Sequence, residues 1–233
     1  MNNISIITYN GGFDLVHNSN SFHFRTPTDW GPPGVCCQEL LKSLEPNDVF
    51  GKEVCELGGG YYAILGAACL LLGATQVVSI EPYIKAANHA NMCMDGDIIS
   101  VVGDSFDAIG NMKFDFIIGN LPQMPSFSMG LNERDALYTF GGTTGFEILQ
   151  QYIETAHGHL NKGGVLRLAI AEFFKISKDP VYSYTVDIHP HNPLRLDINY
   201  RRYFDSLYPM MKGKRRYTYN VYDYTYGEFK SSV

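Results

Sequence analysis

Short apolar runs alternate with longer stretches of helical spacing through the middle of the chain. Glu53–Leu57 is a short apolar run bounded by glycines, which suits a buried parallel strand. Tyr61–Leu72 is apolar nearly all round, the pattern of a buried crossover helix, and Gly73 is placed to end it. Val77–Ile80 reads as the next strand, Tyr83–Met94 as an amphipathic helix, and Ile98–Val102 as a third strand. Phe114–Gly119 is a fourth strand. Phe146–Leu160 is a helix with apolar positions at Phe146, Leu149, Ile153, Ala156 and Leu160. Asn161–Gly164 is the turn after it and Val165–Ala171 a fifth strand. Strands alternating with helices predict an α/β fold: a Rossmann-like, doubly wound, mostly parallel sheet with helices on both faces.

The flanks have a different rhythm. Residues 1–25 alternate weakly around Gly11-Gly12, which predicts two short strands joined by a glycine turn. Three prolines and two glycines exclude helix from Thr26–Gly34, a loop that holds Trp30. Residues 1–33 thus form an N-terminal extension, followed by a helix over Val35–Leu44. Residues 126–145 read as a mobile loop. After residue 172 the chain is less regular and rich in tyrosine. Tyr200–Tyr208 is spaced as a helix. Arg216–Tyr226 alternates, with a slip of phase after Val221 that predicts a bulge in an antiparallel C-terminal hairpin.

The 233 residues and 45% hydrophobic content suit a single domain over 1–233. A net charge of −6 speaks against a protein held to nucleic acid mainly through phosphates, so nucleic acid is an unlikely partner; a small-molecule substrate is compatible. There is no run of 18 apolar residues and no basic segment preceding an apolar one at the N-terminus, so a soluble, cytoplasmic protein with no membrane partner is expected. The five cysteines form no CxxC pair, which suits free thiols in a reducing compartment and gives no metal site.

The candidate chemistry begins at Glu56-Leu-Gly58-Gly-Gly60, a turn between strand and helix where the backbone can approach a ligand. Glu81 follows about 20 residues on, at a strand tip suited to ribose hydroxyls. The loop lacks the third glycine of a dinucleotide site and the lysine of a P-loop, so a nucleoside without phosphate fits best. S-adenosylmethionine is such a cofactor. Asp104, after the third strand, suits an adenine amino group. Pro82 and Ser105 flank these acids, and Tyr61 and Trp30 are candidate walls, though Trp30 also reads as ordinary packing. Tyr61, Tyr62, Tyr182 and Tyr184 are candidates for an aromatic cage around a sulfonium. His157, His159, His189 and His191 read as surface or capping residues.

The order Glu56–Gly60, Glu81, Asp104, Phe114-Asp-Phe-Ile-Ile-Gly-Asn120-Leu121-Pro122, Gly141-Gly142-x-x-Gly145, Lys162-Gly-Gly164 resembles the class I S-adenosylmethionine-dependent methyltransferases. Within them it looks most like the group with an Asn-Pro-Pro-Tyr motif, such as the glutamine N5-methyltransferases of release factors. The resemblance covers residues 26–172. It implies S-adenosylmethionine as cofactor and Asn120, Leu121, Pro122 and Gln123 as the acceptor-shaping residues. Gln123 stands where that group has an aromatic ring. In this the chain is more similar to methionine S-methyltransferases and to the related enzymes that cyclise S-adenosylmethionine to azetidine-2-carboxylate. The resemblance therefore implies methyl transfer to N or S of a small amino-acid-like substrate. Cofactor cyclisation releasing methylthioadenosine is the alternative, and N-methylation of protein glutamine or nucleic acid a further one.

Overall fold

The computed structural model describes residues 4–27, 31–127, 131–187 and 198–228. At the N-terminus the antiparallel strands β1 (Ser5–Tyr9), β2 (Gly12–His17) and β3 (Asn20–Arg25) form a sheet of their own. The sequence predicted two strands. The second turn has no glycine: Asn18 takes a left-handed φ of 54°, a conformation its short polar side chain tolerates. Phe13, Leu15 and Phe24 are fully buried, and Phe13 stacks on Phe24 at 4.9 Å. Helices α1 (Val35–Leu41) and α2 (Pro46–Val49) follow; α2 begins in a reciprocal cap between Glu45 and Asp48.

The main sheet has seven strands. In chain order come β4 (Glu53–Leu57), α3 (Ile64–Leu71), β5 (Gln76–Glu81), α4 (Ile84–Met94), β6 (Ile98–Val102) and β7 (Phe114–Gly119). Then come α5 (Glu133–Thr139), α6 (Glu147–Thr155), β8 (Leu160–Ala171), β9 (Tyr182–Asp187), α7 (Ile198–Leu207) and β10 (Arg216–Thr225). The strand order is β6-β5-β4-β7-β8-β10-β9. The pairs β4–β5, β5–β6, β4–β7 and β7–β8 are parallel, while β9 and β10 are antiparallel. The mostly parallel α/β sheet with an antiparallel C-terminal pair is the predicted fold.

The differences are local. Helix α3 starts three residues late because Ala63 adopts a left-handed φ of 44° and Tyr61–Ala63 prolong the glycine turn. Helix α6 ends at Thr155, and β8 begins at Leu160, ahead of the expected turn; its register against β7 shifts between Phe114 and Phe116. Residues 126–145 include helix α5, capped by Asn132, whose side chain accepts from Asp135 N. That helix buries no residue, so no apolar stripe announces it. In β10, consecutive Val221 and Tyr222 are both buried, in keeping with the slip of phase read from the sequence, and pairing to β9 runs unbroken over Arg216–Val221.

By contacts the chain divides into two compact units, one of Met1–Asn120, Tyr152–Leu168 and Asp223–Val233, the other of Leu121–Gln151 and Ala169–Tyr222. In the first unit, Arg167 on β8 is 5% exposed. It forms a two-pronged pair with Asp223 (2.7 and 2.7 Å), donates to Asp48 (2.6 Å) and Ser43 O (2.8 Å), and lies over the Phe116 ring. The second unit is held by aromatic packing. Phe173 touches Phe204, Tyr208 and Tyr217, and Tyr200 is fully buried with its hydroxyl donated to Pro125 O at 3.0 Å.

Candidate functional site

The strand order places a switch point between β4 and β7. From β4 the chain moves outward through β5 and β6, then crosses back to β7 on the other side. Ligands in open α/β sheets bind outside the carboxyl ends of strands at such a point. The register aligns those ends: Leu57 pairs with both Ile80 and Gly119, and Glu81 with Val102. Gly58, Glu81, Gly103 and Asn120 therefore stand at neighbouring strand tips.

The glycine loop is tightly held. Gly58 and Gly60 have φ of 68° and 59°, which glycine adopts without strain. The N–H groups of Gly58 and Gly59 donate to Ile80 O at 2.8 and 3.3 Å. Gly60 N–H donates to Glu81 Oε2 at 2.8 Å, and Tyr83 N–H to Glu81 Oε1 at 2.8 Å. A Cβ on Gly59 would run into Ser79 Oγ, so this position has room for backbone only. The loop thus offers the bare, preformed backbone that a nucleoside cofactor needs. Glu81 occupies the predicted tip, and a carboxylate has about four acceptor positions, of which two are used here.

Glu56 has a different place from the one the sequence suggested. Its carboxylate is 1% exposed and accepts from Leu65 N (3.1 Å) and Gly66 N (2.9 Å), capping the start of α3. Burial pushes its pKa up to about 8, against the opposing pull of the Gly66 and Leu65 N–H groups; the charge on Glu81 raises it further. Glu56 therefore fixes the helix behind the glycine loop rather than facing a ligand. Gly66 belongs to the same arrangement and was not singled out in the sequence. A Cβ there would meet Val77 Cγ1 at 2.7 Å and Glu56 Oε2 at 2.9 Å.

Asp104 is exposed just beyond β6, and Pro82 is half-buried between Glu81 and Tyr83. Ser105 Oγ accepts from Asp107 N at 3.3 Å, capping the short turn Phe106–Ile109. Tyr61 corrects a further expectation. It is 4% exposed, with its ring against Tyr83 and His89, and Tyr62 packs edge-on to Phe13. Both are core residues, because three aromatic rings and the α4 imidazole close around them. Tyr184 stacks on Tyr219 in the second unit, so the four expected cage tyrosines are divided between the units. Trp30, His189 and His191 lie outside the described residues. His157 stacks on Tyr226 and His159 on Phe106.

Asn120 is half-buried at the tip of β7. Its Nδ2 donates to Cys37 Sγ at 3.8 Å, which leaves Oδ1 as its acceptor end. Burial holds Cys37 up at about 12, so it is a neutral thiol at ordinary pH. Gln123 is not an acceptor contact. Its amide donates to Leu121 O (3.2 Å) and Ala169 O (2.7 Å) and accepts from Ala171 N (2.7 Å), at 4% exposure. A buried amide is drawn to unpaired backbone groups, and these absorb its donor and acceptor ends. Leu121 is buried apolar packing, and Pro122 is half-buried. In the same unit, a Cβ on Gly145 would strike Gln123 O, so the turn Gly141–Gly145 lies directly on this segment.

Solved structures with this architecture include a Thermus thermophilus 16S rRNA N2 G1207 methyltransferase in complex with AdoMet and guanosine. It has a TM-score of 0.51 and 18% identity, over 89% of this chain and 49% of that one. A methyltransferase from Pyrococcus furiosus gives a TM-score of 0.52 at 13% identity, over 87% and 88%. The chain carries the class I S-adenosylmethionine-dependent methyltransferase fold. No family model matches it. In sequence, this methyltransferase-fold chain is 32% identical over 133 residues to a candidate protein N5-glutamine methyltransferase of Methanocaldococcus jannaschii, covering 55% of this chain and 66% of that protein. It is 27% identical over 121 residues to the ribosomal protein uL3 glutamine methyltransferase of Bordetella pertussis, covering 48% and 41%. The chain thus spans less than two thirds of either relative. Their names give macromolecular acceptors, and the small amino-acid-like acceptor expected from the sequence has no counterpart among them. Among the described residues no helix is long and apolar enough to cross a membrane.

Proposed function

We propose that the chain is an S-adenosylmethionine-dependent N-methyltransferase acting on a planar NH2 group, with a protein glutamine side chain as the acceptor. Residues 1–233 would act as one such domain in the reducing cytoplasm, a setting that suits five free cysteines. One observation carries the reading: the glycine loop, Glu81, Asp104 and Asn120 stand on adjacent strand tips at the switch point of the sheet. The likeness to two glutamine methyltransferases supports the acceptor class.

Gly58–Gly60, Glu81 and Asp104 would hold the cofactor. The bare backbone at Gly59 and the remaining acceptor positions of Glu81 fit a neutral nucleoside with vicinal hydroxyls. When bound, S-adenosylmethionine supplies a methyl group activated by a positive sulfur. The task of the residues is then mainly alignment, worth up to roughly 7–11 kcal/mol in favourable cases. Asn120 meets that need. With Nδ2 turned to Cys37, Oδ1 accepts an N–H of the incoming amide and fixes the plane of its nitrogen. Gln123, on backbone duty, provides no stacking ring, so orientation of the acceptor rests on Asn120.

The test is product analysis by mass spectrometry. With S-adenosylmethionine and glutamine-containing protein substrates, S-adenosylhomocysteine is expected to form only when an acceptor is present, and the acceptor to gain one methyl on its side-chain nitrogen. Methylthioadenosine formed without any acceptor would replace this reading with cofactor cyclisation.

A further inference from the structure

In the second unit, residues 201–216 concentrate charge that the chain as a whole does not have. This span holds Arg201, Arg202, Lys212, Lys214, Arg215 and Arg216 against Asp205 alone, a net +5 in a protein of net −6. Part of it lines an open hollow of about 550 Å³, with Glu172, Thr185, Lys214, Arg215, Arg216 and Thr218 on its walls. The one acid in the wall is occupied. Glu172 Oε2 takes the Lys214 ammonium at 2.9 Å, and Oε1 accepts Thr218 N–H at 3.0 Å. Thr185 and Thr218 bring their hydroxyls within 3.3 Å of each other on neighbouring strands. Arg215 and Arg216 are both exposed. Two guanidinium forks beside a pair of hydroxyls match the oxygens of a phosphodiester, which guanidinium groups bind in two-pronged fashion. A solvated turn explains charge, but it explains neither a hollow nor an acid already neutralised within it.

We propose that this hollow binds the phosphate backbone of a nucleic acid. The overall negative charge argued against such a partner; the local arrangement reverses that argument, because phosphate contacts depend on the charge at the surface that meets them. The proposal stands apart from methyl transfer. It concerns other residues and is read by binding alone, so either can fail without the other.

The experiment is a fluorescence anisotropy titration of the full chain with a labelled 20-nucleotide oligouridine, at salt from 50 to 200 mM. A DNA oligomer of the same length and a polyglutamate of matched charge serve as comparisons. With about three phosphate contacts, the log–log slope against salt is expected near −2, a loss of roughly 20-fold across that range. The double variant Arg215→Glu/Arg216→Glu is expected to lose at least tenfold in affinity and to flatten the slope. Arg215→Lys/Arg216→Lys should keep most of both. Arg215→Ala, a single exposed change, provides the same reading with a smaller loss if the double variant does not fold. Binding of RNA alone assigns the partner as RNA, and equal binding of both oligomers as nucleic acid generally. No binding at 50 mM salt, an unchanged slope in the charge-reversed protein, or tighter binding of polyglutamate would overturn the proposal.

Discussion

At Gly58–Gly60 the backbone N–H groups are gathered by acceptors alone, the Ile80 carbonyl and the Glu81 carboxylate, with Glu56 doing the same for α3 behind them. At Leu121–Gln123 a neutral amide both donates and accepts, binding two carbonyls and one N–H. Both segments follow a strand of the central sheet. The chemistry of the clamp decides what remains for a ligand. Carboxylates saturate N–H groups and keep spare lone pairs, so the first loop suits a ligand rich in hydroxyl and amino donors. The amide closes on itself, so Gln123 leaves nothing over, and Asn120 alone carries the polar contact. Fixing the backbone and meeting the substrate are thus separate duties, given to different residues in each segment.

The comparison breaks most sharply at Gln123. Gln123→Leu strands two carbonyls and an N–H, and a loss of about 3–4 kcal/mol in unfolding free energy is expected by chemical denaturation. Gln123→Glu imposes acceptor-only chemistry on the same place. Its charged form faces the Leu121 and Ala169 carbonyls, and its protonated form can donate to them. Its deficit should therefore narrow as pH falls from 7 to 5. A Glu variant as stable as the native protein at pH 7 would show that the amide's donor end is unimportant.

Asn120→Ala should lower kcat/KM for methyl transfer about 100-fold, the scale of a misplaced reacting group. Cofactor affinity, measured by calorimetry, should change little. A comparable fall in cofactor affinity would move Asn120 from the acceptor to the cofactor.

Gly59→Ala sets a methyl against Ser79 Oγ. It should cost about 1–3 kcal/mol in stability and weaken S-adenosylmethionine binding. Pairing it with Ser79→Gly should restore much of both.

The smallest effect is the titration of Glu56. A carboxyl whose folded pKa stands near 8, above its ordinary 4.5, binds more protons in the folded protein than in the unfolded chain between those values. Its contribution is whole below about 4.5 and declines as pH rises toward 8. Thermal midpoints should fall across that window in the native protein and fall less in Glu56→Gln. Parallel curves would show that Glu56 does not titrate there.

Much of the first unit was legible in the sequence. The strands Glu53–Leu57, Ile98–Val102 and Phe114–Gly119 lie where the apolar runs placed them, since a buried parallel strand leaves an uninterrupted hydrophobic run between turn residues. Helix α5 was not legible, because with no buried residue it has no stripe, and only the Asn132 cap marks it. The third N-terminal strand was hidden by a turn built on Asn18 instead of glycine. At the site, residue types and positions were readable, but hydrogen-bond partners were not. Glu56 meets its partners nine and ten residues on, and Gln123 meets two of its partners 46 and 48 residues on, distances at which spacing carries no information.

Arg167 also sets the order in which the chain can be completed. Its guanidinium sits inside the first unit, yet the carboxylate that takes two of its prongs is Asp223, 56 residues later. While the polypeptide is being synthesised, a core closed over β8 before Asp223 emerges would enclose a cation missing its main counter-charge, a state disfavoured by about 3–5 kcal/mol. The final strand is therefore a lock on the first unit, and a nascent chain stalled short of it should remain open to proteases.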